Sequence, residues 1–230
     1  LFAKMTSMNP NLLHLHLRCV DTEDTVAEAF SSLPQLKTLA LTGCSFTDQF
    51  VTTVSELCAS SLESFLCFDT AEVTEEGLHA LLKNCPRLRT LCVCALTDAL
   101  NVGDMSLLRN LTTLYLDLDS GSEEAAEEDK TFYAVEHCQR LEHLHLRYAE
   151  NWCKLDFTIL IKLPHLRSVT LYTPEEILWD AELLEDYKWF APCDAAAALQ
   201  SLRAQRPEIE IVQMAPNVNN FILNIIDLPI

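Results

Sequence analysis

The sequence predicts an α/β solenoid, with a curved parallel sheet on its concave face, helices on its convex face and about eight repeating units. Three observations lead there. Residues Leu36 to Phe46 spell L-x-x-L-x-L-x-x-C-x-F, where Leu39 and Leu41 share one face of a short strand and Thr38, Ala40 and Thr42 the other. The middle residue of that pattern recurs at Leu15, Leu39, Phe65, Leu91, Leu114, Leu144 and Val169, with successive spacings of 24, 26, 26, 23, 30 and 25, all but the fifth of a length that suits one strand, one turn and one helix per unit. Pro10, Pro34, Pro86 and Pro164 each stand two residues before the first leucine position, so an independent marker repeats in phase with the leucines.

The whole chain, 1–230, reads as one solenoid. Residues 1–11 form a lead-in, the end of a helix and a turn, with Pro10 opening the first unit. Residues 12–172 carry the regular repeats. Between their strands, Thr47 precedes the helical run FVTTVSELC and Thr74 precedes GLHALLKNC, each threonine placed to cap free backbone N–H groups. In the second run Leu78, Leu81, Leu82 and Cys85 follow i, i+3, i+4, i+7, an apolar stripe that faces the sheet. The stretch Gly103 to Asn110 has room for only a turn or two. Residues 120–130, SGSEEAAEEDK, lengthen the fifth unit with an acidic run that reads as a solvated face. Residues 173–214 form a long irregular last unit. It holds an aromatic insert at 173–194 with Trp179, Tyr187, Trp189 and Phe190, a helix from Ala195 to Gln205, and an eighth strand placing Ile209, Val212 and Met214 on the signature. Residues 215–230 are apolar and read as a cap over the last repeat.

Charge and cysteine usage narrow the function. With 16 Lys+Arg against 34 Asp+Glu the formal charge is −18 and the pI near 4.6. Nucleic acid is therefore not an expected partner, since phosphate binding needs a basic footprint. The mean hydropathy of +0.10 fits an ordinary core, and only four glycines argue against a turn-rich sandwich or barrel. Ten cysteines would suggest disulfides, but Cys85 and Cys138 stand three residues before Leu88 and Leu141, where Leu33, Leu108 and Leu163 stand in other units. Cysteine acts there as a small hydrophobe, and a reducing, intracellular setting, cytoplasm or nucleus, is expected. No apolar run is long enough to span a bilayer and no signal-peptide pattern opens the sequence, so no membrane is expected as partner. The start at Leu1 reads as a piece of something longer.

The stretch Gly77 to Leu91 runs G-L-x-x-L-x-x-x-C-P-x-L-x-x-L, and both Phe46-Thr47-Asp48 and Leu96-Thr97-Asp98 stand where a following helix begins. This pattern resembles the cysteine-containing subclass of leucine-rich repeats. It looks most like the substrate-binding region of F-box leucine-rich-repeat proteins, the receptors of SCF ubiquitin ligases, over most of residues 10 to 214. The resemblance implies substrate recognition through the concave face, with the SCF adaptor engaged through N-terminal sequence beyond this chain, which shows no F-box segment. The chain departs from the pattern after the strands. Cysteine stands in register only at Cys44 and one residue early at Cys19, while Val20, Thr70, Leu96, Asp119, Ala149 and Pro174 hold the equivalent sites.

Register also assigns the outward rows of the concave face. Within them Arg18, Leu66, Phe68, Cys92, Tyr115, Asp117, His143, His145, Arg147 and Tyr172 are the candidate partner-binding residues. Leu66, Phe68 and Tyr115 have no helix to pack against in this architecture, and aromatic anchors near arginine are what hot spots use. The alternative is that an insert or the tail of the same chain covers them. The phrase HLHLR occurs at 14–18 and 143–147. Each copy puts two imidazoles on one side of a strand, but two ligands do not make a metal site, and five strand steps, roughly 24 Å, part the copies. Cys92 and Cys94 share a face without further ligands in step, a weak redox or metal signal. With no glycine-rich phosphate loop, nucleophile elbow or HExxH motif, neither an enzyme nor a cofactor is expected. The sequence thus points to a protein-interaction module of the F-box receptor type. Its alternative is an acidic scaffold or inhibitor that binds a basic protein through residues 123–129 and 175–186.

Overall fold

Alternating leucine-type residues fold into eight short strands: β1 (His14–Arg18), β2 (Thr38–Thr42), β3 (Ser64–Phe68), β4 (Thr90–Val93), β5 (Thr113–Asp117), β6 (His143–Arg147), β7 (Ser168–Tyr172) and β8 (Glu210–Met214). All join in chain order into one parallel sheet. The structure, a computed structural model, describes residues 2–19, 24–68, 73–93, 105–117, 130–147, 155–172 and 199–214. The expectations for Cys94, the acidic insert up to residue 129, the aromatic insert at 173–194 and the cap at 215–230 lie outside these. Across β1 to β7 the register is the predicted one: Leu15 pairs with Leu39, then Phe65, Leu91, Leu114, Leu144 and Val169 in turn. The described residues form the leucine-rich-repeat solenoid that the spacing predicted.

The convex side is built from short helices. They are α1 (Phe2–Met8), α2 (Asp48–Leu57), α3 (Glu75–Asn84), α4 (Lys130–Tyr133) and α5 (Gln200–Gln205), with 3₁₀ turns at Asp24–Ser32, Met105–Asn110, Ala134–His137 and Phe157–Lys162. Where a unit is too short for a full α-helix, as at Met105–Asn110, a 3₁₀ turn still delivers one leucine, Leu108, to the interior. The two predicted caps form: Thr47 Oγ1 accepts from Gln49 N at 3.2 Å and Thr74 Oγ1 from Glu76 N at 3.3 Å. Asp48, the first residue of α2, also reaches the next helix and accepts from both the N–H (2.7 Å) and the hydroxyl (2.6 Å) of Thr74.

Strand residues facing the helices make the main core with the helical stripes; Leu39, Leu81, Leu114, Leu144 and Leu163 are fully buried in it. Burying one such leucine contributes roughly 2 kcal/mol against about 1 kcal/mol for a cap, so the leucine pattern decides the register and the caps trim the ends.

The last repeat corrects the sequence reading. Ile209 takes the predicted first position, buried and donating its N–H to Arg206 O at 3.2 Å, as Leu36 does to Leu33 O. The strand then starts one residue earlier than in other units: Val169 pairs with Ile211, and Leu171 with Gln213. Val212 and Met214 therefore take register positions of the concave rows, paired with Thr170 and Tyr172. A slip of one residue exchanges the two faces, and Ile209 and Ile211, two apart, are the pair the core takes.

Candidate functional site

The concave rows follow from the register. The middle row runs His16, Ala40, Leu66, Cys92, Tyr115, His145, Thr170 and Val212, each the Cα partner of the next. As far as Thr170 these are the predicted neighbours, but their surroundings differ from the prediction. Ala40, Leu66, Phe68, Cys92, Tyr115 and Tyr172 form a second buried cluster on the far side of the sheet from the main core, with Leu66 1% and Tyr115 3% exposed. Leu66, Phe68, Cys92, Tyr115 and Tyr172 were expected as an open contact surface and are instead interior. The physical reason is the cost of leaving them in water, about 25 cal/mol for each Å² of apolar surface, which burial in a shared cluster removes.

The aromatic rings of this cluster interlock. Tyr115 lies 5.8 Å from Tyr172 and 6.3 Å from Phe68 between ring centroids, within the range of favourable edge and tilted contacts. His145, half-buried, closes one end, its Nδ1 3.3 Å from the Tyr172 hydroxyl. Burial, with a smaller contribution from neighbouring His143, lowers the His145 pKa to about 4. Burial likewise, with the Cys92 thiol a lesser cause, raises the Tyr172 phenol to about 12. Near neutral pH the pair is uncharged, and the imidazole tautomer sets which of the two donates.

The wall is open at β1, where His14, His16 and Arg18 are exposed. His14 Nδ1 bonds Thr38 Oγ1 at 3.0 Å and His16 Nε2 bonds Thr42 Oγ1 at 3.0 Å; burial, then the charge of Arg18, lowers the His16 pKa. The second HLHLR copy repeats the device, His143 Nδ1 bonding Ser168 Oγ at 2.8 Å. Each copy thus turns ring nitrogens onto a neighbouring strand. Among the described residues no group of three or more His, Cys, Asp or Glu side chains is placed to hold a metal ion. Asp117 and Arg147 occupy paired register positions on β5 and β6. No disulfide joins the described cysteines; burial raises Cys58 to about 11 and Cys85 and Cys138 to about 12, a neighbouring Cys58 adding to the shift at Cys85. No helix among the described residues is long and apolar enough to cross a membrane.

One feature escaped the sequence reading. At the amino-terminal edge of the sheet a groove of about 550 Å³ runs past the turns that precede β3 to β7, and Arg87, Arg89 and Arg140 line it with Glu63, Glu142 and Thr112. Its two carboxylates are already paired outward, Glu63 with Lys37 and Glu142 with Arg167, both at 3.3 Å. The signal lay in one column, the residue immediately before each of β2 to β7: Lys37, Glu63, Arg89, Thr112, Glu142 and Arg167.

No family model and no curated relative matches the sequence. Among solved structures the chain is similar to an internalin (inlF) from Listeria monocytogenes, at 19% identity and a TM-score of 0.46, covering 75% of this chain and 44% of that one. The chain spans less than half the length of that protein.

Proposed function

We propose that this solenoid is a protein-recognition module of the substrate-receptor kind implied by its resemblance to F-box leucine-rich-repeat proteins, and that it meets its partner at the open, β1 end of the inner wall. The observation that carries the reading is the in-register exposure of His14, His16 and Arg18 beside a sealed, rigid wall. Threonine hydroxyls fix both rings, so little side-chain freedom is lost on docking. Arg18 presents a planar fork suited to a carboxylate, and arginine beside ordered rings is typical of interface centres.

The test uses full-length gene product in cells, with a photo-crosslinking residue at position 16 or, as control, at exposed Glu56 on the convex helix α2. A protein captured at 16 and not at 56, lost on Arg18→Glu and accumulating when the gene is deleted, supports a substrate receptor. Identical capture from both positions overturns the inner-wall reading. The ligase part stands or falls separately, on whether the full-length product co-purifies with the SCF adaptor.

A further inference from the structure

We infer that the groove along the amino-terminal edge of the sheet is a binding site for an acidic peptide in an extended, polyproline-like conformation, held by Arg89 and Arg140 with Arg87 beside them. This goes beyond the reading above and does not depend on it, because the groove lies on the edge of the sheet and not on the inner wall.

The charge arrangement is the first argument. In a chain with 34 acidic and 16 basic residues, an exposed arginine has carboxylates to choose from. Yet among the described residues the Arg89 and Arg140 guanidiniums make no hydrogen bond or ion pair, and the carboxylates beside them are engaged with Lys37 and Arg167. Arg87 commits one N–H to Ser60 O at 2.9 Å and keeps the rest of its fork. Favourable placement of cations after helix ends accounts for Arg87 after α3 and Arg140 after the 3₁₀ turn. It does not account for Arg89, which stands where the chain passes into β4.

Rigidity is the second. Along this edge each carbonyl takes two N–H groups of the next unit: Glu63 O from Arg89 and Thr90 (2.8 and 3.1 Å), Arg89 O from Thr112 and Thr113 (2.8 and 3.0 Å), Thr112 O from Glu142 and His143 (2.8 and 3.0 Å). The backbone that carries the arginines is fixed before any ligand arrives, which lowers the cost of binding. Those carbonyls have no role left in pairing with a ligand backbone, so side chains must do the reading.

Spacing selects the ligand. Arg140 stands three residues before β6 and Arg87 at the equivalent place before β4, two strand steps or roughly 10 Å apart, with Arg89 two residues on from Arg87. In a polyproline helix, with three residues per turn and about 3.1 Å rise, carboxylates at every third residue stand on one side about 9 Å apart. Arg140 then takes one carboxylate and the Arg87–Arg89 end of the groove the other, through paired N–H donors. A nucleic-acid backbone is a worse fit, because its dense phosphates would meet Glu63, Glu142 and a chain of net charge −18.

The experiment measures fluorescence anisotropy of a labelled (Glu-Pro-Ala)₃ peptide with the intact chain at low salt. Saturable binding is expected, with about tenfold or greater weakening for Arg89→Glu/Arg140→Glu and clear weakening for the same peptide with its three glutamates contiguous. Arg203→Glu on α5, outside the groove lining and with the charge change of one of the two reversals, should leave affinity within about twofold. The milder Arg89→Lys/Arg140→Lys variant keeps charge but loses the fork, and should fall between wild type and the reversal. Unchanged circular dichroism for each variant shows that the fold persists. Absence of saturable binding, equal weakening by Arg203→Glu, or tighter binding of a nine-nucleotide single-stranded RNA than of the peptide each overturns the assignment.

Discussion

Replacing Gly77 by alanine sets two principles against each other. Gly77 is the third residue of α3, and in an exposed helix alanine would be favoured over glycine by about 1 kcal/mol. Here a Cβ would lie 2.3 Å from Asp48 Oδ1 and 3.1 Å from both Asp48 Cγ and Cα. The carboxylate must leave, and with it go both bonds to Thr74 (2.7 and 2.6 Å), about 1 kcal/mol each at a partly exposed site. The 3.1 Å approach to the Asp48 backbone persists and costs about 1 kcal/mol more. Setting the helix gain against these leaves Gly77→Ala destabilised by about 2 kcal/mol, a fall in Tm of about 4 to 8 °C for a chain this size. Asp48→Ala alone should also cost about 2 kcal/mol, through the same two bonds. In that background Gly77→Ala has only the backbone contact against it and should be nearly neutral, a coupling of about 2 kcal/mol. Urea or thermal unfolding of the four proteins reads the cycle. Stabilisation by Gly77→Ala, or additivity within about 0.5 kcal/mol, would refute the packing of α3 on the start of α2.

Three other outcomes follow from buried groups. The His145 ring should titrate near 4, visible in its NMR shifts. Because its folded pKa lies below the unfolded value of 6.5, its contribution is complete above pH 6.5 and is lost as pH falls toward 4, by at most about 3 kcal/mol; His145→Gln should flatten that slope, and a native midpoint near 6.5 would contradict the burial. Thiol labelling of the native chain at pH 8, followed by mass spectrometry, should modify exposed Cys19 while Cys58, Cys85 and Cys138 stay protected until unfolding; comparable rates at all four would count against the core. Arg206 donates from Nη1 to Ile161 O (3.2 Å) and Leu163 O (3.0 Å), and from Nη2 to Leu166 O (3.5 Å), tying the last unit to the seventh. Arg206→Lys cannot span three carbonyls, and should cost about 2 kcal/mol and speed exchange of the Glu210 amide; unchanged exchange would separate Arg206 from β8.

The strands were legible because burial of one leucine every two residues outweighs other local preferences, so Leu39 and Leu41 disclose their face without help from the rest of the chain. The eighth strand was misread for an equally local reason. Pro207 holds its expected place before Ile209, but the unit is one residue shorter between Ile209 and the strand, and proline marks the turn without counting the residues after it. The inner wall was half legible. Pattern told which way Leu66, Phe68 and Tyr115 turn from the helices; that they are buried there, in one cluster with residues of other strands, is a matter to which period-two alternation within one strand is blind. The groove was invisible residue by residue, since Arg89 and Arg140 belong to different repeats and each looks like an ordinary surface charge until the units are stacked.

That stacking makes the column before the strands a single electrostatic object. Its turns repeat one backbone bond, from Leu36 to Leu33, Leu88 to Cys85, Leu111 to Leu108, Leu141 to Cys138 and Leu166 to Leu163, so side chains there vary without moving the chain. Read across the sheet the column is Lys37, Glu63, Arg89, Thr112, Glu142 and Arg167. The outer cations pair with the adjacent glutamates, and a column built only for stability would place an acid at 112 to serve Arg89, one strand step or about 4.8 Å away. A neutral threonine stands there instead, its hydroxyl given to Arg89 O at 3.3 Å. Thr112→Glu completes the alternation, and an exposed pair of that kind is worth a few tenths of a kcal/mol, roughly cancelling the lost hydroxyl bond, so Tm should move by no more than about 2 °C. Peptide binding should fall about tenfold, because the new carboxylate both occupies Arg89 and repels the ligand. An unchanged affinity in Thr112→Glu, with the fold intact, would mean that Arg89 plays no part in holding the peptide.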